Sequence, residues 1–337
     1  MKKVFNLLVS FVLIAGFSAC SKDDSGNQQV PKNPVPSADY KGLAFISSGE
    51  STVRLAQVGT PYEISLEYST DETHWKPYTI GETITLADST FLLFRSGEHK
   101  NRKFSKDTEN YYHFEISGPI SAQGNIMSLL NMDFSTPLTK YAFFALFEGC
   151  TSLLSAPELP TTTMEYGCYA QMFSGCTALK YAPELRAEVL AMKCYGMMFK
   201  GCSALTYVPD LPATEMRIYC YNSMFANCTS LKFAPELPAT RLDMGCYHCM
   251  FEGCTSLTSA PELPATELVS NCYEFMYKDC RNLRYVIGLF TTEPSKKTTE
   301  DWLSGVAASG TFVKSEKATW DVTGADGVPE GWKIETW

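Results

Sequence analysis

Histidine is scarce in this chain. Four residues of 337 (His74, His99, His113 and His248) leave little imidazole for metal binding or proton transfer. Basic charge is short too, with 28 Lys and Arg against 37 Asp and Glu and a net charge of −9. Nucleic-acid binders neutralise phosphates with a basic stripe, so no nucleic-acid partner is expected. The sequence contains no His-Glu-x-x-His, no phosphate-cradling Gly loop and no Gly-x-Ser-x-Gly elbow. The expectation is therefore a non-enzyme, with no catalytic residues and no cofactor. After residue 20 no apolar run approaches the ~20 residues of a membrane-spanning helix.

What is present begins with an address. Met1-Lys2-Lys3 is a short basic start, Val4 to Gly16 is an apolar core, and Phe17-Ser18-Ala19-Cys20 closes it. Residues 1–20 resemble a bacterial lipoprotein signal peptide, with Phe17 where Leu is usual. The resemblance implies lipidation of Cys20, and acyl chains contribute ~0.8 kcal/mol per buried CH₂. Ser21-Lys22-Asp23-Asp24 resembles the surface-export signal of Bacteroidota lipoproteins. Together these imply an outer-membrane lipoprotein exposed at the surface, touching the membrane only through its anchor. Residues 21–37 are polar and Pro-rich, as a linker would be.

Cysteine spacing sets the architecture. Cys150, Cys176, Cys202, Cys228, Cys254 and Cys280 are each 26 residues apart, and so are Cys168, Cys194, Cys220, Cys246 and Cys272. A period of this length without insertion marks stacked repeats. Within one unit, Leu257-x-x-Ala260 suits a short strand. Cys272, Tyr273, Met276, Tyr277 and Cys280 follow the i, i+1, i+4, i+5, i+8 spacing of a helical face. Pro157, Pro183, Pro209, Pro235 and Pro261 lack a ladder donor, so that strand should be short or bulged. The local pattern Met172-Phe173-Ser174-Gly175-Cys176-Thr177-Ala178-Leu179, repeated at Met250 to Leu257, resembles the BspA-like leucine-rich repeats. That family's members are surface proteins associated with adhesion and with binding host or neighbouring-cell components.

The flanks differ. Residues 38–135 hold short alternating runs (Gly42–Ser47, Thr52–Val58, Tyr62–Tyr68, Thr83–Ala87, Phe91–Arg95, Tyr111–Ser117) that read as a β-sandwich, and residues 291–337 read as a small β cap. The expected fold class is thus multidomain and β-rich. A β-sandwich precedes a leucine-rich-repeat solenoid over 136–290, six coils of short parallel strands and short helical turns, and the cap follows. Trp75, Tyr78 and the tryptophans of the cap serve either core packing or a sugar platform.

Four groups of side chains are candidates for chemistry. Cys246, His248, Cys249 and Cys254 lie close in sequence. Two of them belong to the structural columns, however, and the His248 column varies (Ala170, Gly196, Asn222, Glu274), so it is read as exposed and unconstrained and no metal site is expected. The cysteines of the columns are read as buried free thiols, small apolar groups in the core. Glu158, Glu184, Asp210, Glu236 and Glu262 form an acidic column, read as a solvated edge. The fourth group carries the functional expectation. Two residues after the strand Leu stand Ser155, Tyr181, Tyr207, Phe233, Ser259 and Tyr285, beside Lys180, Lys232 and Arg284. With the strand Leu inward, these are expected on the outer strand face. Tyr181, Tyr207, Phe233, Tyr285, Lys180, Lys232 and Arg284 are the candidate ligand-binding residues, for a host matrix or cell-surface protein or another bacterial surface; the alternatives are glycan capture for a nutrient-uptake system and a passive structural spacer. For the row itself, a structural ladder of rings covering one another is the alternative.

Overall fold

In a computed structural model, which describes residues 36–337 other than 133, 135 and 136, the alternating runs before residue 120 become strands, except that of Tyr62–Tyr68 only the end does, as part of Leu66–Ser69. The signal peptide, Cys20 and nearly all of the linker lie outside the described residues. Strands β1 (Leu43–Ser47), β2 (Ser51–Val58), β3 (Leu66–Ser69), β4 (Lys76–Pro77), β5 (Thr83–Leu86), β6 (Phe91–Ser96), β7 (Tyr111–Ser117) and β8 (Ile120–Gln123) follow one another. Alternation sends Phe45, Val53, Leu55, Phe94 and Phe114 inward, all fully buried. They meet between a sheet containing β4-β3-β6-β1-β8 and a three-stranded sheet, β5-β2-β7. Phe45 and Phe114 join the two sheets edge to face, with centroids 5.0 Å apart.

The first sheet does not end at β8. It pairs in parallel with β9 (Leu153–Ser155), the first strand of the repeat region. Phe114 stacks on Phe147 at 5.3 Å, Phe147 on Phe173 at 5.4 Å, and this row of rings continues through Phe199, Phe225, Phe251 and Tyr277. A second row runs Phe104, Phe143, Tyr169, Tyr195, Tyr221, Tyr247, Tyr273 and Trp302. Each pair adds ~0.5–1.5 kcal/mol beyond its burial. One buried cluster therefore runs from Leu43 to Trp332.

The segment from Cys168 to Cys176 and its counterparts is not helical, which corrects the sequence expectation. Ten consecutive N–H groups display the reason. Those of Cys168, Ala170, Met172, Ser174 and Cys176 donate three residues back, closing turns. Those of Gly167, Tyr169, Gln171, Phe173 and Gly175 donate to Met192, Cys194, Gly196, Met198 and Lys200, 25 residues ahead in the next coil. An α-helix would use every one of these donors internally, at i−4. Every fourth residue is left-handed: Gly167, Gln171 and Gly175, then Lys193, Met197 and Gly201, then Tyr219, Ser223 and Asn227. The apolar pattern is thus a period of four, two residues in and two out.

Regular strand is sparse where it was expected. Besides β9, the repeat region holds β10 (Glu262–Leu263) and β11 (Tyr285–Gly288), with isolated parallel bridges such as Tyr181 to Tyr207 elsewhere. The prolines account for this, since each removes a donor from the ladder. The chain closes with β12 (Thr311–Lys314) and β13 (Lys333–Thr336), which extend β10 and β11 into a four-stranded parallel sheet. Tyr285 pairs with Thr311, 26 residues on, and Asp301 and Gly305 continue the left-handed columns. The repeat register thus runs past residue 290, the boundary drawn from the cysteines. The only helical elements among the described residues are two of four residues each, Ile126–Leu129 and Lys296–Thr299. The described part is β-rich.

Candidate functional site

The aromatic and cationic columns are held by the coil-to-coil bonds beneath them. Thr206 N–H donates to Lys180 O (3.0 Å) and Ala182 N–H to Tyr207 O (3.2 Å). Three coils further on, Arg284 N–H donates to Thr258 O (3.1 Å) and Ala260 N–H to Tyr285 O (2.9 Å). Leu179, Leu205, Leu231 and Leu283 point inward and are fully buried. Two residues later the side chains point out: Tyr181 is 60 %, Tyr207 54 %, Phe233 74 % and Tyr285 39 % exposed. Lys180, Lys232 and Arg284 are exposed beside them. Nothing in the fold requires large apolar side chains in water.

Among the described residues, no ring contact joins Tyr181, Tyr207, Phe233 and Tyr285 to one another. The two core rows behave differently, stacking coil on coil with repeat pairs 5.4–6.1 Å apart and interplanar angles of 2–15°. Rings that served only to cover one another would stack in the same way. The exposed row instead presents its rings separately, interleaved with cations. Such a surface can bury aromatic area against a partner and pair with its carboxylates, but it holds no group placed for proton transfer.

The other candidates fall into place around it. Glu158, Glu184, Asp210 and Glu236 are exposed and Glu262 is partly buried. All twelve described cysteines are free and buried. Their sequence column had an unread role: Cys176, Cys202, Cys228 and Cys254 each point Sγ at the carbonyl oxygen of a Phe in the preceding coil, 3.1 Å away. Burial pushes the Cys202 and Cys254 thiols up to about 12. Trp75 packs under the Arg95 guanidinium, 3.9 Å from its ring centre, and Tyr78 is buried with its hydroxyl receiving the Leu55 N–H. Trp302, Trp320 and Trp332 are buried with each indole N–H donating to a backbone carbonyl, so they pack the C-terminal segment.

His248 departs from expectation. It is neither exposed nor unconstrained: Asn222 Nδ2 lies 2.7 Å from its Nδ1, and Glu274 Oε2 lies 3.5 Å from its Nε2. The varied column is a polar chain across three coils, each member chosen to suit its neighbour. Cys249 Sγ lies 3.9 Å from the same Nε2. A nucleophile–base–acid array needs its base to offer one nitrogen to each partner. Here thiol and carboxylate share one, and burial and the neighbouring Glu252 carboxylate push the Cys249 thiol up to about 12. The cluster holds coils together and does not activate the thiol. No three His, Cys, Asp or Glu side chains among the described residues converge as a metal site would require.

Comparison of the chain with models of protein families, with curated proteins and with solved structures finds no match in any of the three.

Proposed function

We propose that the chain is a non-catalytic recognition protein of the bacterial surface, held by a lipid at Cys20, that binds a host matrix or cell-surface protein through the row Tyr181, Tyr207, Phe233 and Tyr285. In this reading residues 38–135 are a β-sandwich that starts the stack, six coils form a solenoid of the BspA-like leucine-rich-repeat kind, and residues 291–337 cap it. The ladder with its 25-residue offset supports a solenoid, with turn chains where that family's helical turns were expected. The unbroken row of rings from Phe114 to Tyr277 supports the starting role of the N-terminal sheets.

The observation that carries the functional reading is the exposure of four large apolar rings that do not stack on one another. Tyr and Arg are frequent hot-spot residues in protein interfaces, and Lys180, Lys232 and Arg284 give the face a basic character in an acidic chain. The test is a binding screen of the chain from Ser21 against matrix proteins and a glycan panel. It runs in parallel with the variant Tyr181→Ala, Tyr207→Ala, Phe233→Ala, Tyr285→Ala. Exposed substitutions of this kind each change stability by less than ~0.5 kcal/mol, so the variant should melt like the parent. Protein binding lost with the melt unchanged is the expected result. Retained protein binding, or a collapsed melt, would show that the row is structural.

A further inference from the structure

The outward side of the turn segments is uneven. From coil to coil Tyr141, Gly167, Lys193 and Tyr219 follow one another in one column, and Phe144, Ala170, Gly196 and Asn222 in the next. Gly167, Ala170 and Gly196 are small between larger neighbours, and a groove of about 500 Å³ opens over them. It is lined by residues of the turn segments and by Thr108, which precedes β7, and by none of the exposed aromatic row.

Its lining has a definite chemistry. At one end Tyr141 meets Tyr166 edge to face at 5.2 Å and Phe144 at 5.9 Å, and it leans across Gly167, where an added Cβ would come within 3.0 Å of its ring. At the other end stands Tyr219, which leans across Gly245 in the same manner. Between them lie the Gln171 amide and the Lys193 ammonium, neither with a side-chain partner among the described residues. Asn222, also in the lining, donates its Nδ2 to His248, and its side-chain oxygen has no partner among the described residues. Lys193 is the one charged residue in the lining and there is no carboxylate, in a chain of net charge −9.

From this combination we infer that the groove is a binding subsite for a carboxylate-bearing sugar, of the uronic or sialic acid class. Tyrosine rings cover the apolar C–H face of a pyranose. The Gln171 amide and the Asn222 side chain, the latter held by His248, pair with its hydroxyls, and a few polar groups on an apolar lining are what orient a small ligand. Lys193 receives the carboxylate in a charge-assisted bond; the lining itself holds no carboxylate, and Asp107 acts on Tyr141 at one end of the groove. The site is separate from the aromatic row, so the two fail separately.

The probes are a galacturonic-acid trisaccharide and sialyllactose, with the galactose trisaccharide and lactose as uncharged counterparts, titrated calorimetrically into the chain from Ser21. The acidic sugars should bind at least ten-fold more tightly than their counterparts. Lys193→Gln should erase that difference, and Tyr219→Ala should weaken both kinds. Gly196→Asn should abolish binding by filling the floor. Its backbone accepts a side chain, since an added Cβ meets nothing closer than 3.4 Å and Asn222 stands at the equivalent place one coil on. The variant lacking the four exposed rings should bind these sugars normally. Absence of acidic-sugar binding at millimolar concentration would overturn the inference. Equal binding of acidic and neutral sugars, or undiminished binding by folded Gly196→Asn, would do the same.

Discussion

Two glycines in one coil separate a chain of left-handed turns from a helix. Gly201 has φ +76, and an added Cβ there finds space, its nearest neighbours lying 3.8 Å away in Gly175. Gly196, five residues earlier, lies outside the left-handed region and also has room. Gly201→Ala therefore adds a backbone strain of ~1–2 kcal/mol, offset in part by the ~0.4–1 kcal/mol gained from restricting the unfolded chain. The net is a loss of about 1 kcal/mol. Gly196→Ala carries only the unfolded-state term and should gain ~0.4–1 kcal/mol. Gly201→Asn should cost less than Gly201→Ala, because Asn tolerates the left-handed region and Asn227 already occupies it one coil on. In a helix both alanines would stabilise, by about 1 kcal/mol each. Thermal melts followed by circular dichroism read this as shifts of opposite sign, ~2 °C each. A rise in melting temperature for both variants would refute the turn architecture.

Three further outcomes are expected. Burial pushes the Cys202 and Cys254 thiols up to about 12, while unfolded thiols titrate near ~8.5. Above that pH the native state holds more protons than the unfolded chain, so stability falls as pH rises, by up to ~1.4 kcal/mol per thiol per pH unit. Melting temperature should stay flat to about pH 8 and drop steeply between about 9 and 12; an unchanged melt at about pH 10.5 would contradict this. The same burial should leave the twelve described cysteines unreactive to iodoacetamide at neutral pH until denaturant is added, and mass spectrometry showing native labelling would count against it. Tyr277 closes a row of phenylalanines with a buried hydroxyl that has no partner among the described residues, so Tyr277→Phe should stabilise by ~1 kcal/mol, and a lowered melt would sink that reasoning.

Sequence legibility follows the reach of each signal. The strands of residues 38–135 could be read because alternation on a half-buried sheet is a short-range pattern: Phe91–Arg95 was expected and Phe91–Ser96 is found. Outward placement of Tyr181 and Phe233 does not follow from a period of two, which would put them on the buried face of Leu179 and Leu231; Lys180 and Tyr181 both face out before Ala182 turns in. The segment Cys272 to Cys280 could not be read either. Apolar residues at i, i+4 and i+8 fit a period of 3.6 and a period of 4 equally well over nine positions. Gly149, Gly175, Gly201 and Gly253, with Asn227 and Asp279 in the same column, did carry the left-handed signal, since these residues adopt that region most readily. The middle column, with Gln171, Met197 and Ser223 in the same conformation, hid it. Variation along the His248 column reads as absence of constraint in the sequence, whereas in the structure it reflects pairing between coils. Asn222, His248 and Glu274 differ because each one pairs with the next.

Hydrogen-bond accounting explains why such a frame leaves its outer surface free to differ from coil to coil. Alternate N–H groups close local turns and the rest bind the following coil, so backbone pairing makes no demand on outward side chains. The inner side chains carry a second constraint, since the stacked rings and the thiol columns allow little change in volume. Cysteine suits the end of each turn chain because its small side chain fits the core and its S–H reaches a Phe carbonyl in the preceding coil. What remains unconstrained are the columns facing water, where Tyr, Lys, Ser and Gly alternate without regularity. Large rings left exposed there make no contact with one another from coil to coil. Under the proposed reading a ligand covers them, and the two proposed surfaces differ in kind: separate rings among cations at one, a recess with a single cation at the other.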